Sequence, residues 1–234
     1  MILTIYIPTY RRHELRTCLD SITPQMQDGV ELYVSDNDPE QSAYAICQEY
    51  PQVKYLWNYL NIGADGNCLV GLTTGNGEYV WVFGDDDIMM PGAIKATLDA
   101  INDQDRIIHV GERHGEAPFG FNGDIAQMLD KLGDKSFMVA STLCTMNVWR
   151  RDAMDLLAAV RSMDTRNVLA WAGVGCQSVT VMDQPYIKVG RENQTFFPHF
   201  ERAMSEYLET LFFLMGPEEQ FSLTSALHWN YNNV

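Results

Sequence analysis

Apolar positions in the first half of the chain follow two alternating rhythms. Short runs rich in β-branched and aromatic residues, LTIYI (3–7), VELYVS (30–35), VKYLWN (53–58), YVWVF (79–83) and RIIHVG (106–111), read as strands. Between them the spacing lengthens to that of a helix. In RRHELRTCLDSIT, Leu15, Cys18, Leu19 and Ile22 fall at i, i+3, i+4 and i+7, one apolar face. A second helix is predicted around AYAICQEY (43–50) and a short third one from about Asn67, before the turn GNG. A fourth, carrying Ile94, Leu98 and Ile101, is entered at Pro91, because a first helical turn tolerates proline.

Strands alternating with helices predict an α/β fold, a Rossmann-like and mostly parallel sheet with helices on both faces. Such sheets collect ligands at the carboxyl ends of their strands. Thr9 and Tyr10, Asp36 and Asn37, and Asp85 to Asp87 lie at those ends. The second half is less regular. DIAQMLDKL offers Ile125, Met128, Leu129 and Leu132 as one helical face, and SEYLETLFFLM offers Leu208, Leu211, Phe212 and Met215. SVTVMDQPYIKVG (178–190) reads as two strand pieces broken at Pro185. No low-complexity linker and no internal repeat divides the chain, so one continuous domain is expected.

Composition narrows the function classes. The 234 residues carry a net charge of −15, which counts against partners held by basic patches, nucleic acid and anionic membrane among them. Cys18, Cys47, Cys68, Cys144 and Cys176 are scattered, without a C-x-x-C pair, which disfavours a zinc site or disulfide framework and suits a reducing cytosol. MILTIYIPTY lacks a basic n-region and meets Pro8 too early for a signal peptide. No apolar run reaches about 18 residues, so no membrane span is expected and a cytoplasmic location follows.

The sharpest chemical signal is GDDD (84–87) directly after YVWVF. On an extended backbone, residues two apart face the same way, so Asp85 and Asp87 are expected to share the cleft while Asp86 turns elsewhere. Two carboxylates at a strand end suit Mg²⁺ or Mn²⁺, which keep water and accept phosphate oxygens as further ligands. A solvated acidic turn is the alternative. A phosphatase of the haloacid-dehalogenase type also uses D-x-D, but after the first strand of its domain rather than the fourth.

Four motifs in order, LTIYIPTYRR, VELYVSDND, NIGADGN and GEYVWVFGDDD, resemble the nucleotide-binding half of family 2 glycosyltransferases of the GT-A fold. The nearest likeness is to bacterial sugar transferases of surface-polysaccharide assembly, the abequosyltransferase-like proteins among them. STLCTMNVWRRDAM (141–154) is similar to the family's S-x-x-x-F-R-R-D segment. The resemblance implies a nucleotide-sugar half over 1–115 and an acceptor half over 116–234. It implies that Pro8, Thr9 and Tyr10 lie against the base, with Arg12 beside them, and that Asp36, followed by Asn37, hydrogen-bonds it. Asn61, Gly63 and Asn67 fall on the loop over the nucleotide, Asp85 near the ribose, Asp87 on the metal that bridges the diphosphate, and Asp86 beside both. Asx-turn and cap chemistry is the alternative for Asp36, Asn37 and the loop asparagines.

Two positions depart from the family. Arg11 stands where Asn is common, and Gly66 where an arginine often meets the diphosphate; Arg191 in KVGRENQ is the candidate substitute. The resemblance also implies a carboxylate base for an inverting transfer, for which Asp164 is best placed and Asp183 is the alternative. Asp152 is expected to cap a helix instead. His109, His114, His199 and His228 lack metal-ligand spacing and are expected to be structural or exposed, and Trp149, Trp171, Phe196 and Phe197 to be core or an acceptor-sugar platform. The implied activity is metal-dependent transfer from a nucleotide-diphospho sugar, a UDP-sugar first, to a carbohydrate or glycolipid hydroxyl. The competing classes are a sugar-nucleotide-forming nucleotidyltransferase, disfavoured because IPTYRR has no glycine, and a non-catalytic binding module. A transferase acting on a hydroxymethylated DNA base is a further alternative that the charge disfavours.

Overall fold

The computed structural model describes residues 1–101, 104–109, 119–124, 127, 144–161 and 176–190. Its main sheet has the order β3-β2-β1-β4-β8-β6-β9-β7. The strands are β1 (Leu3–Thr9), β2 (Val30–Asp36), β3 (Val53–Trp57), β4 (Tyr79–Val82), β6 (Arg106–Ile108), β7 (Asn122–Asp124), β8 (Asn147–Arg150) and β9 (Ser178–Val181). β1 to β4 pair in parallel, as do β6 and β9, while β8 and β7 run the opposite way. The mostly parallel sheet read from the alternation is present. The antiparallel β8 wedged between β4 and β6 is a long-range pairing that local periodicity does not encode. A second ribbon joins β5 (Ile88–Met89) to β10 (Ile187–Lys188), so the two strand pieces flanking Pro185 end in different sheets.

Side-chain alternation explains why both faces are covered. Along β1, Leu3, Ile5 and Ile7 enter one core with Leu15, Cys18, Leu19 and Ile22 of α1 (Leu15–Ile22), while Tyr6 enters the other. Along β4, Tyr79 and Trp81 join the first core and Val80 and Val82 the second. The second core lies beneath α3 (Gly63–Thr73), whose Gly71 backbone sits against the Tyr6 ring; a Cβ there would be 2.4 Å from Tyr6 Cδ1. Arg151, from the R-R-D stretch, donates to the carbonyls of Leu72, Thr74 and Gly77, satisfying the carboxyl end of α3.

Three helix expectations shift. α2 (Tyr44–Cys47) is a single turn, shorter than its apolar pattern suggested. α3 starts at Gly63 rather than near Asn67, because Asn61 Oδ1 accepts the Gly63 N–H at 2.9 Å and the glycine adopts φ +77°. Pro91 lies outside α4 (Ala93–Ala100): Gly92 at φ +87° turns the chain first, so proline ends the ribbon strand rather than opening the helix. α5 (Leu156–Arg161) is capped by Asp155, whose Oδ1 accepts the Ala158 N–H at 2.9 Å. Asp152 does not take that role; it sits in a 3₁₀ turn, paired with Arg150 Nε at 2.6 Å. The helices read at 125–132 and around Leu208 lie outside the described residues, apart from Gln127, whose N–H reaches Asp124 Oδ1.

Candidate functional site

From β1 the chain crosses to β2 and β3 on one side and to β4 on the other, so the order of strands reverses between β1 and β4. That reversal opens a crevice at the carboxyl ends of the two strands. A hydrogen bond spans it: Thr9 Oγ1, at the end of β1, donates to Asp85 Oδ2 at 2.7 Å. Arg12 Nε faces the other oxygen of Asp85 at 3.8 Å.

The three aspartates do not lie on extended backbone. β4 ends at Val82, and Gly84 to Asp87 form a turn in which the Asp87 N–H reaches the Gly84 carbonyl at 3.3 Å. Their different orientations therefore come from the turn rather than from strand alternation. Asp85 and Asp87 are buried and Asp86 half-buried. Asp87 Oδ2 accepts the Thr145 hydroxyl, and its Oδ1 accepts the Gly190 N–H at 2.8 Å. Asp86 Oδ2 is buried with no hydrogen-bond partner.

Burial dominates the electrostatics of this turn. It pushes the Asp85 carboxyl up to about 6, against the Thr9 hydroxyl and the Arg12 guanidinium that favour the charged form. Asp87 is likewise raised by burial, with Thr145 and Gly190 working against the shift. Desolvated carboxylates raised by burial, beside an orphaned carboxylate oxygen, are an environment that a bound cation would relieve. No cluster of three or more His, Cys, Asp or Glu ligands occurs among the described residues. The residues fit a divalent ion that takes one or two carboxylates and draws its remaining ligands from phosphate and water, as Mg²⁺ does.

A second wall follows β2. Asp36 is fully buried, and its carboxylate accepts the N–H groups of Asp38 and Ala43 and the Tyr55 hydroxyl, holding the 36–43 turn. Asn37 Nδ2 donates to Asn61 Oδ1 at 2.7 Å and to the Gly63 carbonyl at 3.2 Å, and its Oδ1 accepts the Ile62 N–H. Asn67 accepts from the Tyr6 hydroxyl at 2.7 Å and donates to the Ser35 carbonyl at 3.0 Å. These residues form one network that fastens the 58–63 loop to the ends of β1 and β2. At the rim, Arg11 clasps Asp38 through two hydrogen bonds and lies over the exposed Tyr10 ring, its centre 5.4 Å from the guanidinium carbon.

Thus the structure brings together Thr9, Arg12 and Asp85, and joins Asn37, Asn61, Gly63 and Asn67 into one network. Asp183 stays apart, exposed after β9, with β8 and β6 between β9 and β4 in the sheet. Asp164 and Arg191 lie outside the described residues, as do His114, His199, His228, Trp171, Phe196 and Phe197. His109 is structural: it stacks on Trp81 at 4.4 Å, meets Thr97 Oγ1 at 2.9 Å, and burial lowers its pKa to about 3. Trp149 is core.

Sequence reasoning missed Gly84, Thr145 and Gly190. A Cβ on Gly84 would stand 2.7 Å from Asp87 Oδ2, and one on Gly190 2.6 Å from the Asp86 carbonyl oxygen. Both the S-x-x-x-F-R-R-D-like segment and the late KVGRENQ segment were visible as motifs. Neither pattern says which backbone or hydroxyl reaches the aspartates.

The family model described as "Glycosyl transferase family 2" matches residues 4–139, more than half of the chain. The chain belongs to this family. Curated relatives include the abequosyltransferase RfbV of Salmonella typhimurium, 30% identical over 121 residues, which are 48% of this chain and 36% of that protein. Another is the GalNAc(5)-diNAcBac-PP-undecaprenol beta-1,3-glucosyltransferase of Campylobacter jejuni, 26% identical over 59% of this chain and 48% of that protein. The chain thus spans between a third and a half of the length of these two relatives. In fold it is similar to S. aureus TarS, with a TM-score of 0.65 at 15% identity over 97% of this chain and 70% of that one. It is also similar to the mannosyltransferase PcManGT of Pyrobaculum calidifontis, solved with GDP-Man and Mn²⁺, with a TM-score of 0.61 at 13% identity over 96% and 68%. These two likenesses establish the GT-A fold. No described helix is long and apolar enough to cross a membrane.

Proposed function

We propose that this chain transfers a sugar from a nucleoside-diphosphate donor, a UDP-sugar in our reading, to a hydroxyl of a carbohydrate or glycolipid acceptor. The synthesis served is that of a polysaccharide or glycoconjugate, on the cytoplasmic side. The observation that carries the proposal is the pair of buried carboxylates, Asp85 and Asp87, at the crevice between β1 and β4. Support for the donor class comes from the fold: TarS has been solved with UDP-GlcNAc, and PcManGT with GDP-Man and Mn²⁺.

In this reading Asp87, with Asp85, holds Mn²⁺ or Mg²⁺. The cation, when bound, offsets the negative charge that develops on the departing diphosphate. Thr9 and Arg12 fix the Asp85 carboxylate, one by a hydroxyl and the other by its charge. Asp86 lies next to both ligands and Arg191 serves the phosphates. Pro8, Thr9 and Tyr10 form the base-side wall. Asp36 hydrogen-bonds the base with the acceptor capacity left over from the three donors of the turn it holds. The Asn37–Asn61–Gly63 links and Asn67 hold the loop that covers the nucleotide. Asp164, with Asp183 as the alternative, takes the proton from the acceptor hydroxyl, and the anomeric centre inverts.

Calorimetric titration with UDP tests the donor site. Binding is expected with Mn²⁺, to be absent in EDTA, and to be lost in Asp87→Ala; equal binding without metal would sink the assignment. Transfer assays on Asp164→Asn and Asp183→Asn identify the base, since the correct variant loses turnover while still binding UDP.

A further inference from the structure

Thr145 lies in none of the four motifs that point to the nucleotide, yet its hydroxyl touches the acidic turn at two points. Its Oγ1 accepts the Gly84 N–H at 2.8 Å and donates to Asp87 Oδ2. A hydroxyl carries a single proton, so an oxygen that receives a backbone N–H has its own donor left to direct elsewhere, here onto the carboxylate. The main chain of Thr145 is fixed as well, because its carbonyl accepts the indole N–H of the fully buried Trp81 at 2.7 Å. Gly84 leaves no slack: a Cβ there would stand 2.7 Å from Asp87 Oδ2 and 3.0 Å from Thr145 Oγ1. The Gly190 N–H holds the other carboxylate oxygen at 2.8 Å. Two segments distant in sequence, at Thr145 and Gly190, thus fix one carboxylate.

We infer that Thr145 is a positioning residue that sets the orientation of Asp87 toward a divalent cation, an inference resting on the proposed role of Asp87. The hydroxyl holds one oxygen in place, so the carboxylate need not be ordered when the ion arrives. Hydrogen-bond partners of ligating groups are typically worth about 10–100-fold in metal affinity. Valine keeps the shape of threonine and removes that bond.

The test titrates Mn²⁺ into protein saturated with UDP and follows free Mn²⁺ by electron paramagnetic resonance, with folding checked by circular dichroism. Thr145→Val is expected to weaken Mn²⁺ binding about 10-fold or more, and Thr145→Ser to stay within about twofold of wild type. Wild-type affinity in Thr145→Val overturns the inference, and so does an equal loss in Thr145→Ser. If Thr145→Val fails to fold, Gly84→Ala carries the test, because it presses a methyl on the same hydroxyl and carboxylate. It is expected to lose about 10-fold as well, and unchanged affinity there overturns the inference. Wild-type protein that binds UDP without Mn²⁺ refutes the metal reading itself. Mn²⁺-dependent wild type with an indifferent Thr145→Val refutes only the role of Thr145.

Discussion

The two ends of the sheet treat buried carboxylates in opposite ways. Near the amino ends, Glu31 of β2 accepts the Lys54 ammonium at 2.7 Å, the Thr4 hydroxyl at 2.8 Å and the Asn76 N–H. Burial alone would raise its carboxyl, but these donors outweigh it and hold it near 2. At the carboxyl ends, Asp85 and Asp87 are similarly screened from solvent, but there burial wins and both are raised. The difference is one of depth and compensation together: Asp85 and Asp87 lie deeper among protein atoms than Glu31 and have weaker donors to offset it. Glu31 has a cation in direct contact, whereas Arg12 approaches Asp85 only to 3.8 Å. One end is finished for stability. The other holds charge that the fold leaves incompletely balanced, the pattern expected where a ligand supplies the counter-charge.

Substitution at each end separates the two cases. The largest effect is expected for Asp85→Asn, about a 100-fold loss of Mn²⁺-dependent UDP affinity by calorimetry, roughly 2.7 kcal/mol. The same variant, without ligand, is expected to melt at or above the wild-type temperature. A strongly lowered Tm would show that Asp85 is as structural as Glu31 and would break the comparison.

Glu31→Gln is expected to behave in reverse, costing about 2 kcal/mol in urea unfolding by stripping the charge from a buried, multiply bonded group. Nucleotide binding should be unchanged. A comparable loss of UDP affinity there would mean that the two ends are energetically coupled.

The pH dependence of wild type sharpens the same point. The folded pKa of Glu31 lies below its unfolded value, so its contribution is fully present above about pH 4.3 and is lost as pH falls toward 2. Thermal melts should show this acid limb in wild type and a shallower one in Glu31→Gln; identical limbs would remove Glu31 as its source.

The smallest effect is expected at the rim. Arg11 adopts φ 55°, a conformation that asparagine tolerates, so Arg11→Asn relieves some backbone strain while giving up the Asp38 clasp. The net change, measured by chemical unfolding, should be the smallest of the series, because the arginine is half-exposed and its ion pair is screened by solvent. A larger loss would make the rim part of the rigid frame.

Much of this architecture was legible along the chain. The apolar face Leu15, Cys18, Leu19 and Ile22 packs as its spacing required, and Leu3, Ile5 and Ile7 alternate against Tyr6 as a doubly covered strand must. The candidate site was legible where it is local: Thr9, Asp36 and Asp85 to Asp87 stand near strand ends because apolar runs stop there. It was illegible where it depends on distant partners. The start of α3 at Gly63 turned on an asparagine side chain and a positive φ, and the aspartates' orientations on a turn closed by one backbone bond.

By itself, then, the sequence determined which residues form strands and helices, which faces they bury and where acidic groups gather, because these follow from periodicities of two and 3.6 residues. Only the tertiary structure decided that β8 would run antiparallel beside β4, that Arg151 would hold the end of α3, and that Thr145 and Gly190 would meet Asp87. Such contacts join segments 58 and 103 residues away from that aspartate. They depend on how closely two backbones approach and where one hydroxyl points, and no local pattern carries that information.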